Sequence, residues 1–438
     1  MISRIATATL LSIVMQCGWA QAIDAADAAR AFGERQALCD RDKSALWGVD
    51  LCGPLFFVDA ATRYLVANQN TADGSLQQQG DVYVGQLLDS VGIANTAVEW
   101  KGEHWSMVTW PLPQQSATRG ALMIHESWHR IQDDLGLPPR SPTEAHLATT
   151  FGRTMMRMEW RALGAALKAH GDVERAQAIR AALIFRDARR EEAQGAADLE
   201  NQLELNEGLA EYTGRRLSGQ DSLALVAMLD KAEAGSSFAR SFAYTSGPAY
   251  GYLLDFYSSN WRKHVTQQSD LGSMLRSVAG IVLPPNIAAQ ATLAGREYGL
   301  TQVDNEERAA ALTRTKQAKA WTLQLVRRPV LHLPFDNMQF TFDVNNLFPL
   351  PPYGTVYPTM QIIDTWGALT VNGGALLDNN WSGVTVAAPS LARLTGTGWS
   401  LKLNPGWAMR PDKRKGDVVI AKAGYSVMSG SERSDRVR

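Results

Sequence analysis

The 438-residue chain has only three cysteines and seven histidines, and its 43 basic residues are met by 44 acidic ones. A formal charge of −1 leaves no coat of Lys and Arg for nucleic acid or an anionic membrane. Long apolar runs are also scarce. Beyond the first 22 residues, no stretch is long and apolar enough to span about 30 Å of hydrocarbon. There is no internal repeat and no low-complexity tract. What remains is an ordinary globular balance, 45% hydrophobic, with length for two or three domains or one large one.

Residues 1–22 read as a secretory leader. Arg4 supplies the positive start, "IATATLLSIVM" the apolar stretch, and Ala20-Gln21-Ala22 a small-x-small cleavage site. Cys17 hints at a lipid anchor, but Gln16 stands where such a motif wants a small residue. The expectation is therefore an exported protein, periplasmic or secreted, with no transmembrane span after cleavage. Export makes the other two cysteines interpretable. Cys39 and Cys52 form an even pair in an oxidising compartment and are expected to be disulfide-bonded. Closing that loop should stabilise by roughly 3 kcal/mol. A metal role suits them less, because no further cysteine or nearby histidine completes a ligand set.

The pattern along the chain predicts an α+β protein. Residues 23–115 form a β-rich first part, with "LFFVDAATRYLVAN" and "TAVEWKGEHWSMVTWPL" as hairpins and "DVYVGQLL" as a further strand. Residues 116–326 are mainly helical. Ser141-Pro142-Thr143-Glu144 is a capping box expected to open a helix running to about His170; Gly171 stops it and Asp172 caps the next. "AADLENQLELNEGLAEYTGRRLSG" ends at Gly219, "SGPAYGYLLDFYSSNW" gives another helix, and "NEERAAALTRTKQAKAWTLQ" one more. Residues 327–425, rich in Pro, Asn and Gly, return to strands and turns as a separate β module, and 426–438 read as a disordered tail.

Within the apolar run "ALMIHESWHRIQ", His125-Glu126-Ser127-Trp128-His129 is an H-E-x-x-H motif. Residues four apart share a helix face, so both imidazoles can hold one Zn²⁺ ion. Glu126 lies close enough to take a proton from a water whose pKa zinc lowers to about 7. The blander reading, two solvated histidines, sits poorly with Leu122, Met123, Ile124, Trp128 and Ile131 around them. A catalytic zinc needs a third protein ligand, and "LELNEGLAEYTG" offers Glu204, Glu207 and Glu211. Glu207 and Glu211 share a face. Gly208 between them costs a helix about 1 kcal/mol relative to alanine, which close approach of another helix would explain. Glu207 is read as the third ligand, and Glu211 as a carboxylate steadying a histidine's other nitrogen.

"HESWH" followed by "LNEGLAEY" resembles the gluzincin metallopeptidases, zincins whose third ligand is a glutamate on a second helix. The thermolysin group has a similar Asn-Glu-x-x-x-acid arrangement, and the M1 aminopeptidase group a similar "NEG-x-A" segment. The resemblance implies a zincin-like catalytic domain: an antiparallel β-sheet whose edge strand lines the substrate cleft, followed by active-site helices. It implies His125, His129 and Glu207 as zinc ligands, Glu126 as general base and Glu211 as the supporting acid. The match covers two short segments, and His129 and Glu207 stand much further apart than in those families. The Gly-x-Met-Glu-Asn segment that grips a free N-terminus in aminopeptidases is absent before the motif, which speaks against exopeptidase action.

Peptide hydrolysis also requires a donor to the developing oxyanion, commonly worth about 3–4 kcal/mol of barrier. Tyr244-Thr245-Ser246-Gly247 resembles the Tyr-x-x-Gly that serves this role in aminopeptidase-like gluzincins, which makes Tyr244 the first candidate and Tyr250 the second. His146 is a further possible donor. The expectation is an exported zinc metallopeptidase acting on a peptide or protein. Two alternatives stay open: a non-catalytic zincin-like envelope binding protein, and a zinc hydrolase acting on peptidoglycan peptides or a non-protein substrate. Glu126 favours an enzyme, since its position suits proton transfer rather than ligation.

Overall fold

The computed structural model describes residues 23–142, 144–343, 345–389 and 394–423. The leader with Cys17, Thr143 of the capping box and the tail lie outside these residues. Sequence patterning assigns 23–115 to strands, yet the segment opens with a helix. Asp24 accepts from the Ala26 and Asp27 N–H groups and starts α1 (Ala25–Asp42), an alanine-rich run. Cys39 near its end is disulfide-bonded to Cys52 in the loop that follows.

Six strands then form one sheet: β1 (Leu55–Asp59), β2 (Tyr64–Ala67), β3 (Gln77–Gln79), β4 (Val82–Gln86), β5 (Thr96–Trp100) and β6 (Glu103–Trp110). Their order is β3-β4-β2-β1-β6-β5. The β1–β2 and β5–β6 hairpins form as patterned. The sheet is mixed rather than antiparallel, which corrects the expectation. β2 and β4 fill one side of β1, so the later hairpin joins on the other side with β6 parallel to β1. β5 is left as the edge.

One face of this sheet is covered by α1 and by α2 (Ser116–Ile131). Phe32 of α1 stacks on Phe57 at 4.5 Å, and Met123 of α2 packs beside Leu55, Val66 and Val108. The opposite face carries a second apolar cluster around Phe56, Leu65, Trp100 and Trp105. Ser106 of β6 donates to the Glu126 carbonyl, tying α2 to the sheet.

The helical part continues with α3 (Thr150–Lys168), α4 (Asp172–Arg190), α5 (Ala196–Leu203), a π-turn (Glu204–Gly208), α6 (Leu209–Leu217), α7 (Ser222–Ala232), α8 (Ala243–Tyr257), α9 (Leu271–Val278), α10 (Ile287–Gly295) and α11 (Leu300–Thr322). The expected cap at 141–144 does not open α3. Ala145–Ala148 forms a single 3₁₀ turn, and Thr149 caps α3 by accepting from Gly152 N–H at 2.9 Å. Asp172 is the first residue of α4 and not its cap. Two glycine contacts set the helix spacing. A Cβ on Gly214 would meet the Ala121 carbonyl oxygen at 2.4 Å, so α6 lies against α2; one on Gly247 would meet Gly208 Cα at 2.3 Å, so α8 lies against the π-turn.

After Arg327 the described residues form a β module of twelve strands: β7 (Val330–Pro334), β8 (Gln339–Phe342), β9 (Phe348–Leu350), β10 (Gly354–Tyr357), β11 (Met360–Asp364), β12 (Gly367–Val371), β13 (Ala375–Asp378), β14 (Gly383–Ala387), β15 (Thr395–Gly396), β16 (Trp399–Leu403), β17 (Trp407–Pro411) and β18 (Val418–Lys422). A seven-stranded sheet, β17-β18-β7-β14-β13-β10-β9, packs on a five-stranded one, β15-β16-β12-β11-β8. They share a core of Leu331, Leu333, Ile362, Trp366, Leu369, Val384 and Trp399. The architecture is mixed α+β, and among the described residues no helix is long and apolar enough to cross a membrane.

Candidate metal centre

The middle of α2 is where apolar burial and ionisable side chains coincide. His125, Glu126, Ser127 and Trp128 are all buried, and the ligand atoms of His125, Glu126 and His129 lie within 4.8 Å of one another. The π-turn brings in the second helix. Glu207 Oε2 stands 3.5 Å from His125 Nε2 and 3.4 Å from His129 Nε2, while the two Nε2 atoms are 3.2 Å apart. An insertion of one residue into the α5–α6 helix is what turns Glu207 to this face; π-turns of this kind occur often at functional sites.

Each imidazole has its other nitrogen engaged. His125 Nδ1 is 3.0 Å from Glu211 Oε2, and Glu211 Oε1 is in turn held by Arg215 at 2.7 Å. His129 Nδ1 is 2.8 Å from Gln132 Oε1. Since carboxylate and amide oxygens only accept, both histidines carry hydrogen on Nδ1, which leaves Nε2 of each, facing Glu207, as the nitrogen able to bind a cation. Two imidazole nitrogens and a carboxylate oxygen this close together need a cation between them, a proton or a metal ion. Ligands about 2.0–2.1 Å from a tetrahedral zinc are about 3.3–3.4 Å from each other, close to the three separations seen. The residues present fit a zinc ion.

The outer contacts form a continuous chain. Gln132 donates to Asn206 Oδ1 at 2.9 Å, and Asn206 donates to Glu207 Oε1 and to Ser141 Oγ, both at 3.2 Å. Arg240 reaches Glu207 Oε1 at 3.5 Å and donates to Ser141 Oγ at 2.9 Å. Glu207 thus has one oxygen fixed by amide and guanidinium groups and the other free to face the imidazoles. Gln132, Asn206 and Arg240 carry no role in the sequence reading. The signal for Gln132 was its place three residues after His129, on the same helix side; Asn206 stood beside the chosen ligand; Arg240 left none.

Electrostatics follow from burial. Burial opposes a charge on His125, but Glu207, Glu211 and Glu126 outweigh it and push the imidazole up to about 10. Burial would raise Glu207, yet the two histidines hold it well below the usual carboxylate range. Glu126 is pushed up by burial, against the pull of both histidines, and its Oε2 has no hydrogen-bond partner among the described residues. That leaves a basic oxygen beside the ligand atoms with nothing else to bind. Tyr244, half-buried, lies parallel to the His125 ring at 5.7 Å, and burial together with Glu207 keeps its phenol protonated far above neutral pH.

These groups open onto a cavity of about 1210 Å³. Its near wall is β5, its floor the histidines, Glu126, Glu207, Glu211, Arg240 and Tyr244, and its far wall comes from β8, β11 and β12 of the β module. Tyr250 is not brought to this site. Its hydroxyl donates to buried Glu159 at 2.7 Å and its ring lies under Arg186, so its candidacy as oxyanion donor is corrected. His146 is likewise buried elsewhere, 2.7 Å from Glu200. Glu204 faces away from the histidines and is gripped by Arg186. Compared with family models, curated proteins and solved structures, the chain matches none of them.

Proposed function

We propose that the chain is an exported zinc-dependent metallopeptidase. The reading rests on one observation: three ligand atoms from two helices, separated by 3.2–3.5 Å, converge beside an unpartnered Glu126 oxygen on the floor of an open cleft. His125, His129 and Glu207 would hold the ion, whose Lewis acidity makes water a nucleophile source near neutral pH. Glu126 accepts the proton from the attacking water and returns it to the leaving amine. Tyr244 donates its phenolic hydrogen to the carbonyl oxygen as charge develops there. Glu211 and Gln132 hold the two imidazoles in the tautomer the ligand set requires. The open edge of β5 supports an extended peptide as substrate, because unpaired strand N–H and C=O groups pair with a peptide backbone. The Cys39–Cys52 disulfide supports an oxidising compartment.

The test is metal analysis with a peptide-library assay. Wild type should carry one zinc and cleave; Glu207→Ala should lose the metal; Glu211→Ala should keep it with about 10–100-fold weaker affinity. Zinc retained by Glu207→Ala and lost from Glu211→Ala would reverse the two assignments.

A further inference from the structure

Across three strands of the far wall, among Phe340, Phe342, Asp343, Met360 and Val371, runs a row of neutral polar side chains. Thr341, Gln361 and Thr370 stand directly opposite one another across β8, β11 and β12, and residues so paired share a sheet face. Their neighbours Met360, Ile362, Leu369 and Val371 are buried in the module core, so the row points outward. All three line the same cavity as His125, Glu126 and His129. Gln361 and Thr370 are exposed, Thr341 is half-buried, and none of their side chains is hydrogen-bonded to another described residue. Strand spacing sets the backbones of these three residues about 4.8 Å apart, and Thr96, Ala97, Val98 and Glu99 of β5 line the same cavity.

Such a row both donates and accepts, and it carries no charge. Neutral polar groups of a ligand find partners there in either polarity. An aliphatic side chain pressed against it strips water from groups that then go unpaired, and a charged one loses hydration without gaining a counterion. The β module therefore does more than pack against the helical part.

We propose that the Thr341–Gln361–Thr370 row is the specificity wall of the cleft, selecting extended polypeptide segments that present Ser, Thr, Asn or Gln to it. This rests on the peptidase reading for turnover, and binding tests it separately. The triple variant T341V/Q361L/T370V removes the hydrogen-bonding groups while keeping side-chain bulk near that of the wild type. Single T341V and T370V stand in should the triple variant fold poorly, and S400A, on the same sheet face but outside the cavity, is the control. In a peptide library, the triple variant should lose at least ten-fold in the kcat/KM ratio of neutral-polar over aliphatic residues at one subsite, with zinc content and S400A unchanged. An unchanged ratio would overturn the proposal. Peptide binding to E126Q needs no hydrolysis. Polar peptides should bind E126Q at least ten-fold more tightly than they bind E126Q carrying the triple change. If wild type cleaves nothing yet this difference appears, the peptidase reading falls and the wall stands; equal binding, or none, overturns the wall.

Discussion

Glu207 explains how one side chain meets two opposing demands. Its Oε1 is held by Asn206 and Arg240 and its Oε2 is aimed at the imidazoles, so the carboxylate cannot rotate without breaking contacts on both sides. The chain His129–Gln132–Asn206–Glu207 links ligands from different helices through neutral amides. Gln132→Leu leaves His129 Nδ1 unpartnered and should weaken zinc binding about 10–100-fold, read by competition with a chelating dye. Tyr244→Phe should retain zinc and lower kcat about 10²–10³-fold, the usual cost of one oxyanion donor. Away from the cleft, Glu144 is buried with both oxygens lacking hydrogen bonds, although His146 Nδ1 comes within 3.5 Å. Burial, reinforced by Glu200, pushes its carboxyl up to about 8. The folded chain then keeps a proton that the unfolded chain releases near 4.5, so this group's stabilising contribution declines as pH rises from about 4.5 to 8. Glu144→Gln does not ionise. Its stability relative to wild type should grow across that window, by up to about 1.4 kcal/mol per pH unit, and level off above it; parallel denaturation curves across the window would contradict this.

The helices show why the two halves of the site can lie so far apart in sequence. Between His129 and Glu207 the chain folds α3 and α4 into a helical hairpin joined through Gly171, and this hairpin grips α5 and the π-turn. Arg189 forks onto Glu200 at 2.8 and 2.9 Å, Arg190 reaches the same carboxylate, and Arg186 binds Glu204, the first residue of the π-turn. Arg189→Met removes the cation shared by buried Glu159 and Glu200, leaving Arg186 and Tyr250 on the one and Arg190 and His146 on the other, and should cost about 3–5 kcal/mol in denaturant unfolding. Gly247→Ala forces a methyl onto Gly208 Cα and should cost about 1–3 kcal/mol while loosening the metal site, seen as a lower Tm and weaker zinc retention. H-E-x-x-H and the Glu207–Glu211 pair were legible because helical spacing alone puts such residues on one face. Gly208 pointed to a close helix contact, and that contact is with α8. The π-turn was illegible, since one residue inserted into a helix leaves no compositional trace. Tyr250 misled because a buried tyrosine and a catalytic one look alike in sequence; only its partner, Glu159, separates them.

Across the whole molecule, the turn from strand to helix to strand marked out the three regions, because hydrophobic period changes where architecture does. Helix α1 escaped because its charged and small residues give weak periodicity, and the parallel β1–β6 pair escaped because pairing partners distant in sequence are not encoded locally. What no local pattern showed is that the β module completes the cleft, with residues of β8, β11 and β12 lining the same cavity as His125, Glu126 and His129. The proposed function stands or falls with a zinc held by His125, His129 and Glu207 that works with Glu126 as its base. The direct measurement is zinc content and peptide hydrolysis on matched preparations of wild type and Glu126→Gln. One zinc per chain in both, with hydrolysis confined to wild type, is the predicted result; hydrolysis that persists in Glu126→Gln, or in wild type stripped of metal, would contradict it.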